Sequence, residues 1–236
     1  MNPPHTVKNA RERLIIALDF PDASSALDCA RDLSGDVSFF KIGLQLYTAA
    51  GPEIVRAVAA TGAKVFLDLK LHDIPNTVAK AVAAAGELGV AMLTLHLSGG
   101  RRMMEAALTA APADMLLLGV TVLTSSDDAT LAETGIKENV QEHTLRLAAL
   151  GTAVGIRGLI ASPQEVASLR GRLGNDITII TPGVRPTWAA ADDQKRFTTP
   201  RAAVDNGADY LVIGRPVTAH SEPREAVRKI LEELGA

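Results

Sequence analysis

The chain has 236 residues, with 24 Lys and Arg against 27 Asp and Glu, a formal net charge of −3 at pH 7. This balance leaves no broad basic surface, which argues against nucleic acid or an anionic membrane as the main partner. The longest apolar run, at residues 116–123, is too short to span a bilayer, and the single cysteine, Cys29, excludes an intrachain disulfide. We therefore expect a cytoplasmic protein in which a few placed cations hold any anionic ligand.

The order of predicted elements indicates a repeating strand-and-helix fold. Residues 1–13 contain proline and charged residues without an apolar run, which predicts a loosely ordered arm. After it, short β-branched or Leu-rich runs alternate with longer Ala-rich stretches of helical spacing. The eight predicted strands are residues 14–18, 37–42, 65–69, 92–97, 116–123, 158–161, 177–181 and 210–213.

Eight such units in one chain of this length predict an α/β fold, a single-domain (β/α)₈ barrel over residues 14–236. A doubly wound open sheet is the alternative, although no Gly-x-Gly-x-x-Gly follows the first strand. Helices are expected at 23–33, 52–60, 77–88 and 163–170, with Asp22 and Ser24 as start signals of the first and Ser162-Pro163 as the start signal of the last. Left-handed glycines are expected before the next strands at Gly62, Gly89, Gly174 and Gly207.

Charged residues interrupt the first three strands late in each strand, at the end where barrel active sites form. Alternation along the strands places Asp19, Lys41, Asp68 and Lys70 on the inward face, and Asp73 follows in the next loop. These charges can form a salt-bridge network that ties the strand ends together. Because burying ion pairs is a doubtful source of net stability, a ligand that uses them is the favoured interpretation.

A second polar group follows the last two strands. Pro182-Gly183-Val184-Arg185-Pro186 follows strand seven, and Gly214-Arg215-Pro216 follows strand eight. Backbone amides at glycines and two guanidinium groups suit a phosphate, and barrels frequently hold phosphate in these two loops. The polar connection at residues 187–196, with Gln194 as its reaching side chain, is predicted to be a lid.

Several other polar residues have more than one interpretation. His96 is either catalytic or a hydrogen-bonded histidine at the barrel mouth, and His72 lacks a second histidine at zinc spacing, so no metal site is predicted. Thr124 and Ser125 follow strand five as hydrogen-bonding or turn residues. Surface positions are expected for the remaining histidines, His5, His143 and His220.

Residues 68–77 read Asp-Leu-Lys-Leu-His-Asp-Ile-Pro-Asn-Thr, which closely resembles the bacterial orotidine 5'-monophosphate decarboxylases and their Asp-x-Lys-x-x-Asp motif. The resemblance extends over nearly the whole chain. It includes Ala17-Leu18-Asp19, Phe40-Lys41-Ile42-Gly43, Asp192-Asp193-Gln194-Lys195-Arg196 and the two Gly-Arg loops.

The resemblance implies a (β/α)₈ homodimer that converts orotidine 5'-monophosphate to UMP and CO₂ without a metal or organic cofactor. It implies a catalytic array of Lys41, Asp68, Lys70 and Asp73, with Lys70 as the proton donor to C6 of the pyrimidine. Asp73, Ile74 and Thr77 are implied to complete the site, Asp73 and Thr77 reaching that of the neighbouring subunit. The other implied substrate contacts are Asp19 and Lys41 for ribose, Thr124 or Ser125 for the base, and Gln194 between base and phosphate. Arg185, Gly214 and Arg215 are implied to hold the phosphate, and Pro182 is a further substrate contact.

Two other functions fit parts of this sequence. A metal-dependent sugar-phosphate decarboxylase or aldolase-type barrel shares the motif at residues 68–73, but such relatives usually carry an acidic metal ligand where Lys41 stands. A nucleotide- or phosphate-binding barrel without chemistry explains Arg185 and Arg215 but leaves Asp68, Lys70 and Asp73 without a function.

Overall fold

Eight parallel strands close into a barrel in chain order, with the first strand paired to the last. The computed structural model describes residues 9–189 and 198–235. The strands are β1 (Leu14–Ala17), β2 (Phe39–Gly43), β3 (Lys64–Leu71), β4 (Met92–His96), β5 (Leu116–Val120), β6 (Gly158–Ile160), β7 (Thr178–Thr181) and β8 (Tyr210–Ile213). The predicted (β/α)₈ barrel is confirmed, and the predicted strand ends differ from these by three residues at most.

Alternation along the strands separates two apolar cores. One set of side chains fills the barrel interior, among them Ile15, Phe39, Phe66 and Met92. Residues of the opposite parity, such as Leu14, Phe40 and Leu67, pack against the surrounding helices. The inward parity predicted for Phe66 is thereby confirmed, and the same strand carries Asp68 and Lys70 to the mouth of the barrel at the carboxyl ends of the strands.

Helices follow every strand. They are α1 (Ala10–Arg13), α2 (Ala23–Asp32), α3 (Leu44–Ala50), α4 (Glu53–Ala59), α5 (Pro75–Glu87), α6 (Arg101–Ala110), α7 (Asp128–Glu133), α8 (Val140–Val154), α9 (Val166–Leu173), α10 (Pro200–Asp205), α11 (Arg215–Thr218) and α12 (Pro223–Glu233), with a 3₁₀ turn at Leu97–Gly99. No helix within residues 9–189 and 198–235 is long and apolar enough to cross a membrane.

Local signals at the helix ends are largely confirmed. Asp22 caps α2 by accepting a hydrogen bond from the Ser25 amide at 2.9 Å. The four glycines predicted to take left-handed conformations all have positive φ, between 70° and 103° (Gly62, Gly89, Gly174 and Gly207).

Two local predictions are wrong. The helix expected from Pro163 begins at Val166, after a turn in which the Glu165 amide donates to the Ser162 carbonyl at 3.0 Å and the Glu165 carboxylate accepts from the Ser162 amide at 2.9 Å. His143 was expected at the surface but is buried on the inner face of α8, where its Nδ1 lies 2.8 Å from Glu138 Oε2. Buried position and carboxylate partner explain each other, since a buried imidazole needs a hydrogen-bonding partner.

The amino-terminal arm is described only in its last part. Residues Ala10–Arg13 form the single turn α1, capped by Asn9, and Arg13 donates hydrogen bonds to the carbonyls of Ala208 and Asp209. These contacts attach the turn to the start of β8. Residues 1–8 and His5 lie outside the described residues.

Candidate active site

A cavity of about 480 Å³ opens at the carboxyl ends of the strands. This volume lies in the range typical of small-molecule sites. Its polar wall comes from β1, β2 and β3 on one side and from the loops after β7 and β8 on the other. The lining residues include Asp19, Lys41, Gln45, Asp68, Lys70, Val122, Leu123, Thr124, Pro182, Gly183, Arg185, Gly214 and Arg215.

Four charges of alternating sign form a chain along one wall of the cavity. Lys41 Nζ lies 3.1 Å from Asp19 Oδ1 and 3.8 Å from Asp68 Oδ2. Lys70 Nζ donates to both oxygens of the Asp68 carboxylate, at 2.8 and 2.9 Å. Each charge neighbours the opposite sign, which offsets the desolvation of Lys41 and Asp68. The salt-bridge network and the ligand-facing wall are therefore one structure.

Lys70 has an unusual backbone. It is the one non-glycine residue with positive φ, 51°, in the described part of the chain. The β3–β4 register shifts at this point: Asp68, Leu69 and Lys70 lie between the paired residues Leu67 and Leu71, opposite Thr94 alone on β4. Such strain costs about 1–3 kcal/mol and clusters at functional sites. The bulge turns the Lys70 side chain into the wall of the cavity.

Gly43 makes room for the charged chain. A Cβ at this position would lie 3.0 Å from Lys41 Nζ and 3.5 Å from Asp19 Oδ1. A side chain at the end of β2 would therefore crowd the Lys41 ammonium and require it to shift by a few tenths of an ångström. This gives a steric reason for the glycine that follows the predicted Lys41.

The loops after β7 and β8 carry the second polar group. Arg185 is buried and Arg215 exposed, and both line the cavity. The Arg185 amide donates to the Thr198 carbonyl at 2.9 Å, which joins the two ends of the long connection after β7. Gly183 has φ of 79°, a conformation that favours glycine. Two guanidinium groups beside permissive backbone suit a phosphate dianion.

The structure brings most of the predicted site residues to this cavity. Of the two alternatives for the base, Thr124 lines the cavity, whereas Ser125 is exposed outside its lining. Residues 190–196 of the predicted lid, Gln194 among them, lie outside the described residues. The residues brought together are Asp19, Lys41, Asp68, Lys70, Thr124, Pro182, Arg185, Gly214 and Arg215.

Three predicted residues do not line the cavity of their own chain. Asp73, Ile74 and Thr77 lie between the end of β3 and the first turn of α5, and all are exposed. Asp73 accepts a hydrogen bond from the Ile74 amide at 2.7 Å, and the Ile74 side chain is 66% exposed. Leu44 at the start of α3 is 55% exposed. These residues place polar and apolar groups on the exposed surface beside the mouth of the barrel.

His96 stands next to the charged chain. Burial lowers its pKa below the usual 6.5, and electrostatic interaction with His72 and Lys70 lowers it further, while the Asp68 carboxylate opposes them. The His72 and His96 rings are 5.5 Å apart between centroids. His96 is therefore a neutral, half-buried group at the barrel mouth at neutral pH.

A His96→Gln variant should lose part of the acid sensitivity of folding. The pKa of His96 is lower in the folded chain than in the unfolded chain. Below about pH 6.5, His96 therefore binds a proton in the unfolded chain more readily than in the folded chain, which lowers the free energy of unfolding. One such group lowers the free energy of unfolding by at most about 1.4 kcal/mol per pH unit. Urea unfolding at pH 7.5 and 5.0 should show a smaller decline for the variant. Equal declines would contradict the lowered pKa.

The sequence interpretation missed Thr94 and Gln45, and it gave no role to Gly43 within the motif at residues 40–43. Thr94 has the inward parity of its neighbours Met92 and His96, and its hydroxyl contacts the charged chain. The alternation rule that identified Asp68 would have identified it, had β4 been inspected for polar interruptions. Within residues 9–189 and 198–235, no three His, Cys, Asp or Glu side chains gather as a metal-binding group.

Comparisons with known proteins match the chain almost from end to end. The model of the orotidine 5'-phosphate decarboxylase / HUMPS family matches residues 12–230. A protein of Opitutus terrae named orotidine 5'-phosphate decarboxylase is 52% identical over 225 residues, covering 94% of this chain and 97% of its own. One of the same name from Syntrophotalea carbinolica is 48% identical over 235 residues, 96% of each chain. The crystal structure of orotidine 5'-phosphate decarboxylase from Lactobacillus acidophilus superposes with a TM-score of 0.84 at 35% identity, covering 95% of this chain and 100% of that one.

Proposed function

The chain belongs to the orotidine 5'-phosphate decarboxylase / HUMPS family, and we propose that it converts orotidine 5'-monophosphate to UMP and CO₂ in pyrimidine synthesis. The observation that carries the proposal is the chain of charges Lys41, Asp68 and Lys70 on one wall of a cavity that Arg185 and Arg215 also line. A ligand with a reacting carboxylate and a phosphate suits both groups. We place the enzyme in the cytoplasm, with neither nucleic acid nor a membrane as partner.

Lys70 is the proposed catalytic acid. When the bond between C6 and the carboxylate breaks, the electron pair stays on C6, a ring carbon with little delocalisation. An ammonium held beside C6 stabilises this charge as it develops. It then transfers a proton to C6, and the resulting amine regains a proton from solvent. The bidentate contact with Asp68 fixes the ammonium before substrate arrives, so little reorganisation accompanies the step.

Asp68 has a second proposed task. Its carboxylate shares the wall with Lys70 and lies 13% exposed, so it meets the substrate carboxylate in a poorly solvated place. The repulsion between the two anions disappears as CO₂ leaves, which favours the transition state over the bound substrate. The opposite charges of Lys41 and Lys70 keep the Asp68 carboxylate in place.

The remaining contacts hold the nucleotide. We propose that Asp19 and Lys41 bind the ribose hydroxyls, that Thr124, or Ser125 in its place, contacts the base, and that Gln194 joins base and phosphate. Pro182, Arg185, Gly214 and Arg215 surround the phosphate. The proposed reaction uses no cofactor, because Asp68 and Lys70 act on the departing carboxylate and Lys70 supplies the proton to C6.

We further propose a homodimer in which Asp73, Ile74 and Thr77 complete the partner's site. Their exposure beside the mouth, together with the exposed Leu44, supports a face that a second copy covers. The face carries apolar and polar groups, as interfaces between identical subunits do.

A shared site predicts complementation between two inactive variants, Lys70→Ala and Asp73→Ala. In a mixed dimer one site carries both defects and the other carries none. Random reassociation of equal amounts gives half mixed dimers, so activity should recover to about a quarter of the wild-type value. The measurement is decarboxylation after mild denaturation and refolding of the mixture. Recovery no greater than the sum of the parents would contradict a shared site.

Metal-free protein and orotidine 5'-monophosphate test the function directly. We expect loss of the orotate absorbance and formation of UMP, with rates unchanged by a chelator. Activity that disappears with the chelator and returns with a divalent ion favours the sugar-phosphate type of barrel. Tight UMP binding without turnover favours a binding protein, and either result overturns the proposal.

A further inference from the structure

We propose that Thr94 is a positioning residue that sets the place of the Lys70 ammonium, an inference that rests on the proposed function. Thr94 is fully buried on β4 with its side chain toward the barrel interior. Its hydroxyl accepts a hydrogen bond from the Lys70 amide at 2.8 Å and donates one to Asp68 Oδ1 at 3.0 Å. One oxygen therefore joins the strained backbone to the carboxylate that binds the ammonium.

The bulge explains why this hydroxyl is needed. Three residues of β3 face Thr94 alone between the pairs Leu67–Leu93 and Leu71–Leu95. In a regular parallel pair the Lys70 amide would donate to a backbone carbonyl of the adjacent strand, but here it donates to the Thr94 side chain. A buried amide without an acceptor is costly, so the hydroxyl stabilises the backbone at φ of 51°.

The second hydrogen bond orients the carboxylate. Asp68 Oδ1 receives both the Thr94 hydroxyl and Lys70 Nζ, and Oδ2 receives Lys70 Nζ and faces Lys41 Nζ at 3.8 Å. Because Thr94 holds Oδ1 from the barrel interior, the carboxylate plane cannot turn freely toward Lys41. Thr94 thus positions Lys70 through two routes, its backbone and its carboxylate partner, without lining the cavity itself.

Packing against its neighbours does not explain why residue 94 is a threonine. Its register partner on β5 is the buried Leu118, and Met92 lies one inward position earlier on β4. Valine has the shape of threonine and would pack equally well at this position. The hydroxyl is there for its two hydrogen bonds, since buried polar groups are retained where they are paired.

The test compares variants that differ by one oxygen atom. Thr94→Ser keeps the hydroxyl, whereas Thr94→Val and Thr94→Ala remove it at two side-chain volumes, so that one remains informative if the other fails to fold. Thr121→Val is the matched control, because the buried Thr121 hydroxyl donates only to the Ile160 carbonyl. The readouts are kcat and KM for orotidine 5'-monophosphate, the affinity for UMP, and crystal structures of the variants.

We expect Thr94→Val and Thr94→Ala to lower kcat by about 10- to 100-fold, the effect of hydrogen bonds to charged groups. KM and UMP affinity should stay within about threefold, because binding by the other contacts is untouched. Thr94→Ser should recover kcat to within about threefold of wild type, and Thr121→Val should leave it unchanged. In the hydroxyl-free crystals Lys70 should leave its bidentate contact with Asp68.

Three results overturn the inference. They are a hydroxyl-free variant with wild-type kcat, a Thr94→Ser variant as impaired as Thr94→Ala, and unchanged Lys70 geometry in a variant whose kcat has fallen. A wild-type protein without decarboxylase activity would instead refute the proposed function. The crystal structures would still decide whether the hydroxyl sets the Lys70 backbone.

Discussion

Replacing Lys70 with alanine should lower kcat for orotidine 5'-monophosphate by roughly 10⁴-fold or more while the barrel still folds. General acid catalysis contributes about 10²–10⁴-fold, and stabilisation of developing charge about 10²–10³-fold. Lys70 is proposed to supply both. We expect the variant to fold because the Asp68 carboxylate still accepts the hydrogen bond from the Thr94 hydroxyl and still lies close to the Lys41 ammonium.

Lys80→Ala is the matched control for Lys70→Ala, since Lys80 is an exposed lysine on α5, the helix that follows β3. It should leave kcat unchanged. Circular dichroism and the thermal midpoint report folding of both variants. A Lys70→Ala protein with near-normal turnover would end the assignment of Lys70 as the proton donor.

Binding measurements with Lys70→Ala separate ground-state from transition-state effects. Without the ammonium, Asp68 faces the substrate carboxylate with less compensation, so substrate should bind more weakly. UMP lacks that carboxylate and should bind nearly as well as to the wild-type protein. Equal losses for substrate and UMP would place Lys70 against another part of the nucleotide.

The sequence predicts the barrel from eight repeated strand-and-helix units, and it predicts most residues of the mouth from the two-residue alternation along the strands. Alternation along β3 assigns Phe66 to the interior, and the structure has it there with Asp68 and Lys70 further along the same strand. The same rule on β2 assigns Lys41, which lies 3.8 Å from Asp68. Local periodicity is sufficient here because parallel strands bring equivalent ends to one edge.

Other features depend on information that no single segment contains. The positive φ of Lys70 results from a register shift between β3 and β4, which is set by pairing across the barrel. Burial of His143 depends on which face of α8 packs against the rest of the barrel, and there the imidazole contacts Glu138. The places proposed for Asp73 and Thr77 depend on a second subunit. Strand pairing, helix packing and subunit association bring together residues that are far apart in the sequence or lie on different chains. Local sequence patterns therefore do not predict the features that depend on them.

Arg215→Ala should lower kcat/KM for orotidine 5'-monophosphate by about 10- to 100-fold, chiefly through a higher KM. The guanidinium lines the cavity at the end of β8, and a charged hydrogen bond to phosphate contributes about 1.5–3 kcal/mol. Part of the loss should appear in kcat, because binding energy from the remote phosphate also orients the reacting ring.

Orotidine, the same nucleoside without phosphate, identifies what Arg215 contacts. If the guanidinium binds phosphate, Arg215→Ala should change kcat/KM for orotidine by less than about twofold, since the contact is absent for that substrate in either protein. Arg201→Ala, at an exposed arginine of α10, is the control and should affect neither substrate. Equal losses for the two substrates would place Arg215 against the ribose or base. An unchanged KM for orotidine 5'-monophosphate would remove Arg215 from the site, and Arg185 would then be the guanidinium that binds the phosphate.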